Sequence, residues 1–162
     1  MQQLATKASP SAHIEDLTGQ RSNKSTADVE LTVMAEVASV YGDRDSPEAL
    51  IVAGSLALGR EPCKSYSGWG LVSDWGMDSK IDGEGRSGWQ VGRISQEHGI
   101  LTVDSKFDGN PMNLTIGQRI RIWPNHACVA DAGFGWYLVV DSDLPDDRRD
   151  EIVDVWVRWR GW

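Results

Sequence analysis

From residue 31 onwards the chain alternates between apolar and polar positions, which is the pattern of half-buried β-strands. In the first such segment the alternating apolar side chains are Leu31, Val33, Ala35 and Val37. Further strands are predicted at residues 49–58, 89–96, 100–104, 119–123, 136–141 and 152–159. No long amphipathic helix pattern competes with them, and glycine-containing connections separate them. The chain is therefore predicted to be mainly β, a small β-barrel or β-sandwich-like domain with few short helices.

Residues 1–28 lack this alternation. They are polar and include stretches rich in Ser, Gly, Asn and Pro, a composition typical of loops and disordered segments. We therefore predict a disordered or irregular lead over residues 1–28 and a single β domain over residues 29–162. The length of 162 residues is enough for one domain with a hydrophobic core and short for two.

Charge and hydropathy narrow the classes of partner. The formal net charge is −8 and the sequence pI is about 4.8, so the basic surface that binds phosphate backbones is missing and nucleic acid is not an expected partner. The apolar runs are too short to span a membrane, and the N-terminus has no hydrophobic signal segment. These features predict a soluble, cytoplasmic protein.

Two cysteines and eight tryptophans are the compositional features that bear on function. Cys63 and Cys128 are too few for a disulfide framework in a chain of this size, which favours free thiols in a reducing compartment. Tryptophan combines a large apolar area with an N–H group, so it suits both cores and faces that bind sugars or peptides. Composition alone leaves both roles open.

His126 and Cys128 form the most compact set of metal-binding side chains in the sequence. Imidazole nitrogen and thiolate sulfur both suit Zn²⁺, and a separation of two residues in an extended segment would turn both side chains to one side. Two ligands do not close a site, so a metal here would keep open positions, as catalytic zinc does. The alternative is a buried cysteine beside a loop histidine, without metal. Asp131 follows closely enough to approach the metal or to orient His126.

A second candidate site is the pair Glu97 and His98 at a predicted strand-to-strand turn. A carboxylate beside an imidazole can act as a base, as a metal ligand or as a partner that orients one. The alternative is a solvated pair without a chemical role. The chain has no Gly-x-Ser-x-Gly nucleophile motif and no dinucleotide-binding glycine motif before a helix.

Four segments resemble the D-serine dehydratase-like proteins, a family that also includes the D-threonine aldolases. The resemblance is clearest at the run Pro124, Asn125, His126, Ala127 and Cys128, which is similar to the metal-binding segment of that family. The other three segments are residues 31–39, 95–99 and 155–162, in the same order as in the family. One departure is Ala53, where relatives tend to have Asp before the glycine.

The resemblance implies a fold and an activity. Enzymes of this family join an N-terminal alanine-racemase-like (β/α)₈ barrel, which carries pyridoxal phosphate on a lysine, to a C-terminal β domain that supplies the metal ligands. This chain resembles only the second part, because a (β/α)₈ barrel needs about 200 residues or more. The resemblance therefore implies that the lysine of the cofactor site is absent here and that the domain is inactive alone.

The resemblance also implies the chemistry of the complete enzyme. Its substrate would be a small D-amino acid, either eliminated to pyruvate and ammonia as by a D-serine dehydratase or cleaved as by a D-threonine aldolase. It implies His126 and Cys128 as metal ligands and Glu97 and His98 as candidate catalytic residues, and the thiolate favours Zn²⁺. Without the barrel, one apolar face would be left for a homodimer or other association. A tryptophan-rich, non-catalytic β binding module is the alternative function.

Overall fold

The computed structural model of the protein describes residues 2–6, 31–75, 85–141, 144–145 and 147–160. Within these ranges the chain forms nine strands and two short helices. In chain order they are β1 Gln2–Thr6, β2 Leu31–Tyr41, β3 Glu48–Ile51, α1 Ser55–Leu58, β4 Gly70–Ser73, β5 Arg86–Ile94, β6 Gly99–Val103, β7 Arg119–Pro124, α2 Ala127–Ala132, β8 Trp136–Val140 and β9 Ile152–Val157.

Six of the strands close into an antiparallel barrel in the order β3, β6, β5, β4, β7, β2, with β2 pairing back to β3. Closure depends on β2, whose first half pairs with β7 and whose second half pairs with β3. The register joins Val33 to Ile122 at one end of β2 and Val37 to Ile51 beyond it, with an irregularity between Val37 and Ser39. The predicted mainly β fold is confirmed.

The remaining three strands extend the sheet from the side of the barrel. β1 runs antiparallel to the start of β2 and parallel to β8, and β9 pairs antiparallel with β8. The polar sequence of residues 2–6 does not predict β1, because its backbone pairing follows from its neighbours and not from an apolar alternation of its own. Residues 7–28 of the expected lead lie outside the described residues, and the boundary at residue 29 stays a prediction.

The barrel core follows from the alternation along the strands. Val33, Ala35 and Val37 of β2 point inward together with Ile120 and Ile122 of β7, and all are buried in one apolar cluster. Fully burying one such large aliphatic side chain stabilises the fold by roughly 1.5–3 kcal/mol.

Tryptophan contributes to this core at one fully enclosed position. Trp89 of β5 is buried in the cluster, and its indole N–H donates a hydrogen bond of 2.6 Å to the carbonyl oxygen of Met112. This bond satisfies the polar atom of a buried indole, so a core role for this tryptophan needs no binding function.

Two segments differ from the sequence prediction. The strand predicted over residues 49–58 ends at Ile51, and a helical turn follows over Ser55–Leu58. The cause is tertiary, because the backbone N–H groups of Ser55 and Leu56 donate to the carbonyl oxygens of Ser95 and Gln96, at 2.8 and 3.1 Å.

β4, at Gly70–Ser73, was missed because its first glycine resembles part of a loop. Gly70 instead lies so close to the side chain of Ile122 that a Cβ would approach it within 2.8 Å. The glycine therefore permits close strand packing. None of the helices in the described ranges has the length and apolar character needed to cross a bilayer.

Candidate functional site

Three connections meet at one end of the barrel, where β3, β5 and β7 finish. Neighbouring barrel strands are antiparallel, so the chain leaves these three strands at the same end. The connections carry α1 after β3, the turn of residues 95–98 after β5, and α2 after β7. Both predicted site segments therefore lie at this end of the fold.

α1 contacts both of the other connections. Its first residues, Ser55 and Leu56, donate backbone hydrogen bonds to the turn of residues 95–98. On its other side, a Cβ on Gly59 would approach Val129 of α2 within 2.8 Å, and one on Gly133 would approach the carbonyl oxygen of Leu56 within 2.9 Å. The helix thus connects the Glu97 turn to the segment that carries His126.

His126 ends the extended chain and is the N-cap residue of α2, with φ −141° and ψ 104°. Its side chain makes no capping hydrogen bond, and its carbonyl oxygen accepts from Ala130 N at 3.1 Å. Cys128 lies in the first turn of α2, and both side chains are exposed. The cysteine is a free thiol, so both donor atoms are open to a ligand from solvent.

This geometry corrects one step of the sequence argument. The segment was expected to be extended through both residues, but it becomes helical after His126. The strand periodicity that would turn the two side chains to one side therefore does not apply here. The alternative without metal assumed a buried cysteine, and this part of it is wrong, because Cys128 is exposed.

Asn125 fixes the turn between β7 and α2. Its side-chain Nδ2 donates hydrogen bonds of 2.9 Å to the carbonyl oxygens of both Glu61 and Gly68, and its Oδ1 accepts from the hydroxyl of Tyr66. Burial, with smaller contributions from Cys63 and Asp104, raises the pKa of the Tyr66 hydroxyl well above its usual value. Sequence reasoning missed this cluster, because the partners of Asn125 lie 57 to 64 positions before it in the chain.

Asp131 does not orient His126 through any hydrogen bond in the described part of the chain. Its Oδ2 accepts a hydrogen bond of 3.1 Å from Arg158 Nε, which ties α2 to the segment after β9. The same two residues line a surface cleft of about 350 Å³, whose other walls are Tyr137, Trp156, Val157 and Trp159. Asp131 therefore forms part of the wall of this cleft through its bond with Arg158.

Glu97 and His98 lie on a tight turn with both side chains exposed. The turn is closed by Ser95, whose backbone N–H and hydroxyl both donate to the carbonyl oxygen of His98, at 2.9 and 3.1 Å. Among the residues that the structure describes, no group of three or more His, Cys, Asp or Glu side chains could hold a metal ion. Glu97 and His98 therefore do not complete a ligand set with His126 and Cys128.

The domain belongs to the class of small antiparallel β-barrels, and it carries an exposed His-x-Cys pair directly after β7, the last barrel strand in chain order. Comparison with known proteins identifies the family. The family model described as "Putative serine dehydratase domain" matches residues 31–140, from the start of β2 to the end of β8. The chain belongs to this family. The matched range contains both candidate site segments.

Individual relatives agree with the family. The D-serine dehydratase of Schizosaccharomyces pombe is 37% identical over 140 residues, which cover 85% of this chain and 29% of that protein. The solved structure of D-threo-3-hydroxyaspartate dehydratase from Delftia sp. HT23 matches with a TM-score of 0.60 and 29% identity, covering 86% of this chain and 35% of that one. The chain thus spans about a third of the length of these relatives.

Two further solved structures are variants of a D-threo-3-hydroxyaspartate dehydratase, each 29% identical to this chain. One is a histidine-to-alanine mutant with a TM-score of 0.60, covering 85% of this chain and 33% of that one. The other is a cysteine-to-alanine mutant in the metal-free form, with a TM-score of 0.58, covering 85% and 34%. In that enzyme the two substituted residues are two positions apart.

Proposed function

We propose that this chain is the zinc-binding C-terminal domain of a pyridoxal-phosphate-dependent D-amino-acid lyase of the D-serine dehydratase type. His126 and Cys128 are its metal ligands. The complete enzyme eliminates the β-hydroxyl of D-serine or a related β-hydroxy D-amino acid and releases pyruvate and ammonia from D-serine. The alternative reaction for the complete enzyme is cleavage of the substrate, as by a D-threonine aldolase. The described chain contributes ligands but no cofactor lysine, so it is inactive alone.

One observation carries the proposal: two exposed donor side chains, an imidazole and a free thiol, stand two positions apart at the end of β7. The same separation joins the histidine and cysteine that were replaced in the related dehydratase, whose cysteine variant was obtained in the metal-free form. A nitrogen and a thiolate ligand suit Zn²⁺ better than Mg²⁺ or Mn²⁺.

The donor set fits an open metal site. The described residues supply no third His, Cys, Asp or Glu ligand beside the pair, so the remaining positions would be left to water, substrate or the rest of the enzyme. A bound Zn²⁺ would act as a Lewis acid on the substrate hydroxyl. The chain's own contribution is to hold the imidazole and the thiolate at the exposed end of the barrel.

Zinc binding by the purified chain tests the ligands. We expect the wild-type chain to bind one equivalent of Zn²⁺ in a competition titration with a chelator, and His126→Ala and Cys128→Ala to weaken binding by about 100-fold or more, since each removes one of two protein ligands. Cys63→Ala is the matched control, because it removes the other thiol and should leave the affinity unchanged. Equal zinc affinity in wild type and both ligand variants would rule out the assignment.

Glu97 and His98 are proposed as acid–base residues of the complete enzyme and not as metal ligands. They lie at the same end of the barrel, on the turn held by α1. His98→Ala should therefore bind Zn²⁺ as tightly as the wild-type chain, and a clear loss of affinity would make His98 a ligand instead. The chain, supplied with pyridoxal phosphate and Zn²⁺, should not convert D-serine faster than free pyridoxal phosphate does.

A tryptophan-rich binding module is the second candidate function, and it is favoured by the exposed indoles of Trp136, Trp156 and Trp159. Two of these line the cleft beside Asp131. Flat aromatic faces of this kind bind sugar rings or peptide side chains. Tryptophan fluorescence separates the candidates, since quenching by oligosaccharides but not by Zn²⁺ would favour the module.

A further inference from the structure

The side chain of Asn125 makes three hydrogen bonds to a distant part of the chain, using both N–H donors and the oxygen. A side-chain amide has two N–H donors, and both of them bind carbonyl oxygens, those of Glu61 and Gly68, at 2.9 Å. Its oxygen accepts from the Tyr66 hydroxyl. Three bonds therefore attach one residue to the connection between α1 and β4.

This attachment fixes the backbone immediately before His126. On its N-terminal side, β7 is held to β4 by the pairing of Pro124 with Gly70. On its C-terminal side, the first helical hydrogen bond of α2 runs from Ala130 N to the His126 carbonyl oxygen. The imidazole itself makes no capping bond, so the backbone of His126 is held by the strand pairing before it, by the helical bond after it and by the neighbouring Asn125.

Tyr66 completes the arrangement from the other segment. Its ring packs closely beside Gly68, where a Cβ would lie 3.1 Å from a ring carbon. Burial keeps the pKa of the hydroxyl high, and it remains a neutral donor to Asn125. The amide oxygen is thereby held while the two N–H groups bind the main chain.

We propose that Asn125 and Tyr66 are positioning residues for the metal site, holding the β7–α2 turn so that His126 and Cys128 are oriented before the metal binds. The proposal rests on the proposed metal role of those two residues. An open site with two protein ligands depends strongly on such support, because hydrogen bonds behind the ligands typically change metal affinity by about 10- to 100-fold.

Metal titration of Asn125→Ala and Tyr66→Phe tests the proposal. We expect Asn125→Ala, which removes all three bonds, to weaken Zn²⁺ binding by about 10- to 100-fold, and Tyr66→Phe, which removes one, to weaken it several-fold. With Co²⁺ in place of Zn²⁺, the thiolate-to-cobalt absorption band should weaken or shift in the same order. This band reports on the ligands directly and would not respond to a general loss of stability.

Ser87→Ala is the matched control. The Ser87 hydroxyl is buried and donates a hydrogen bond of 2.9 Å to the Val72 carbonyl oxygen near the start of β5, at the opposite end of the barrel. Ser87→Ala should lower the free energy of unfolding without changing the metal affinity or the cobalt absorption band. If Asn125→Ala fails to fold, Tyr66→Phe decides, since it removes only one hydroxyl.

The outcomes separate the two proposals. Wild-type affinity and an unchanged cobalt band in folded Asn125→Ala and Tyr66→Phe would overturn the positioning role and leave the metal ligands in place. Absence of metal binding by wild-type chain at His126 and Cys128 would overturn both. Weakened binding in the two variants, but not in Ser87→Ala, would support both.

Discussion

At the scale of single residues, Arg121 is a partly buried charge without full hydrogen bonding. Its strand neighbours Ile120 and Ile122 face the core, so its own side chain lies on the other face of β7, with the guanidinium 4.2 Å from the ring centre of Trp75. Its Nε and Nη2 are buried and have no hydrogen-bond partner among the described residues. Burial lowers the pKa of Arg121 to about 10, and Asp150 opposes this shift in part.

We therefore expect Arg121→Met to raise the free energy of unfolding by about 1 kcal/mol, because it removes a poorly solvated charge and keeps the apolar stem. The lost contact with Trp75 offsets part of the gain. Arg119→Met, at an exposed position on the same face of β7, is the control and should change stability by less than about 0.5 kcal/mol. A marked loss of stability in Arg121→Met, measured by urea unfolding, would contradict the prediction.

The buried hydroxyl of Tyr66 should make the stability of the domain depend on pH in the alkaline range. Its pKa is higher in the folded chain than the value of about 10 in an unfolded chain. Below that pH both states are protonated and stability is complete; above it the unfolded state loses the proton first, so stability falls as pH rises. Above about pH 10, unfolding free energies should therefore fall less steeply with rising pH for Tyr66→Phe than for wild type. Identical slopes in the two proteins would refute this cause.

At the scale of elements, the junction between α1 and the turn of residues 95–98 depends on Gly54. A Cβ there would lie 2.3 Å from the carbonyl oxygen of Gln96, which is backbone and cannot rotate away. The glycine is therefore required by close backbone approach. This close approach also explains why the strand predicted over residues 49–58 ends early. The chain turns after β3, and the N–H groups of α1 then bond to the carbonyl oxygens of Ser95 and Gln96.

Gly54→Ala should lower the free energy of unfolding by about 1–3 kcal/mol, the range typical of overpacking. It should also move the Glu97 turn, which is detectable as chemical-shift changes at residues 95–98. Gly42→Ala is the matched control, because a Cβ at Gly42 meets no atom within 4 Å. If both variants were equally stable, the contact at Gly54 would not limit packing.

At the scale of the whole molecule, β9 leaves an apolar surface on the domain. All six of its residues are exposed, and Val157 is 75% exposed next to Trp159 at 86%. The Val155 N–H donates to Asp154 Oδ1 at 2.7 Å, so this backbone N–H of β9 already has a hydrogen-bond partner. We therefore expect association through the face of β9 and not through addition of a strand at this position.

Sedimentation velocity should show concentration-dependent association of the wild-type chain, and Val157→Lys should shift it toward the monomer by placing a charge on this face. Ile116→Lys is the control, since Ile116 is 71% exposed and lies on the turn before β7. A wild-type chain that stays monomeric at high concentration, or equal effects of both substitutions, would contradict an interface at β9.

The sequence by itself determined the class of fold and the candidate chemistry. Period-two alternation is a local property, so β2, β7 and β9 could be predicted from their own residues, and the run from Pro124 to Cys128 indicated the family and the candidate metal ligands. Only the tertiary structure decided that β2 pairs with three other strands, that residues 2–6 form a strand, and that Asn125 is bonded to the connection before β4. These features arise from contacts between distant segments, and a local pattern holds no information on which strands pair or which backbones approach each other.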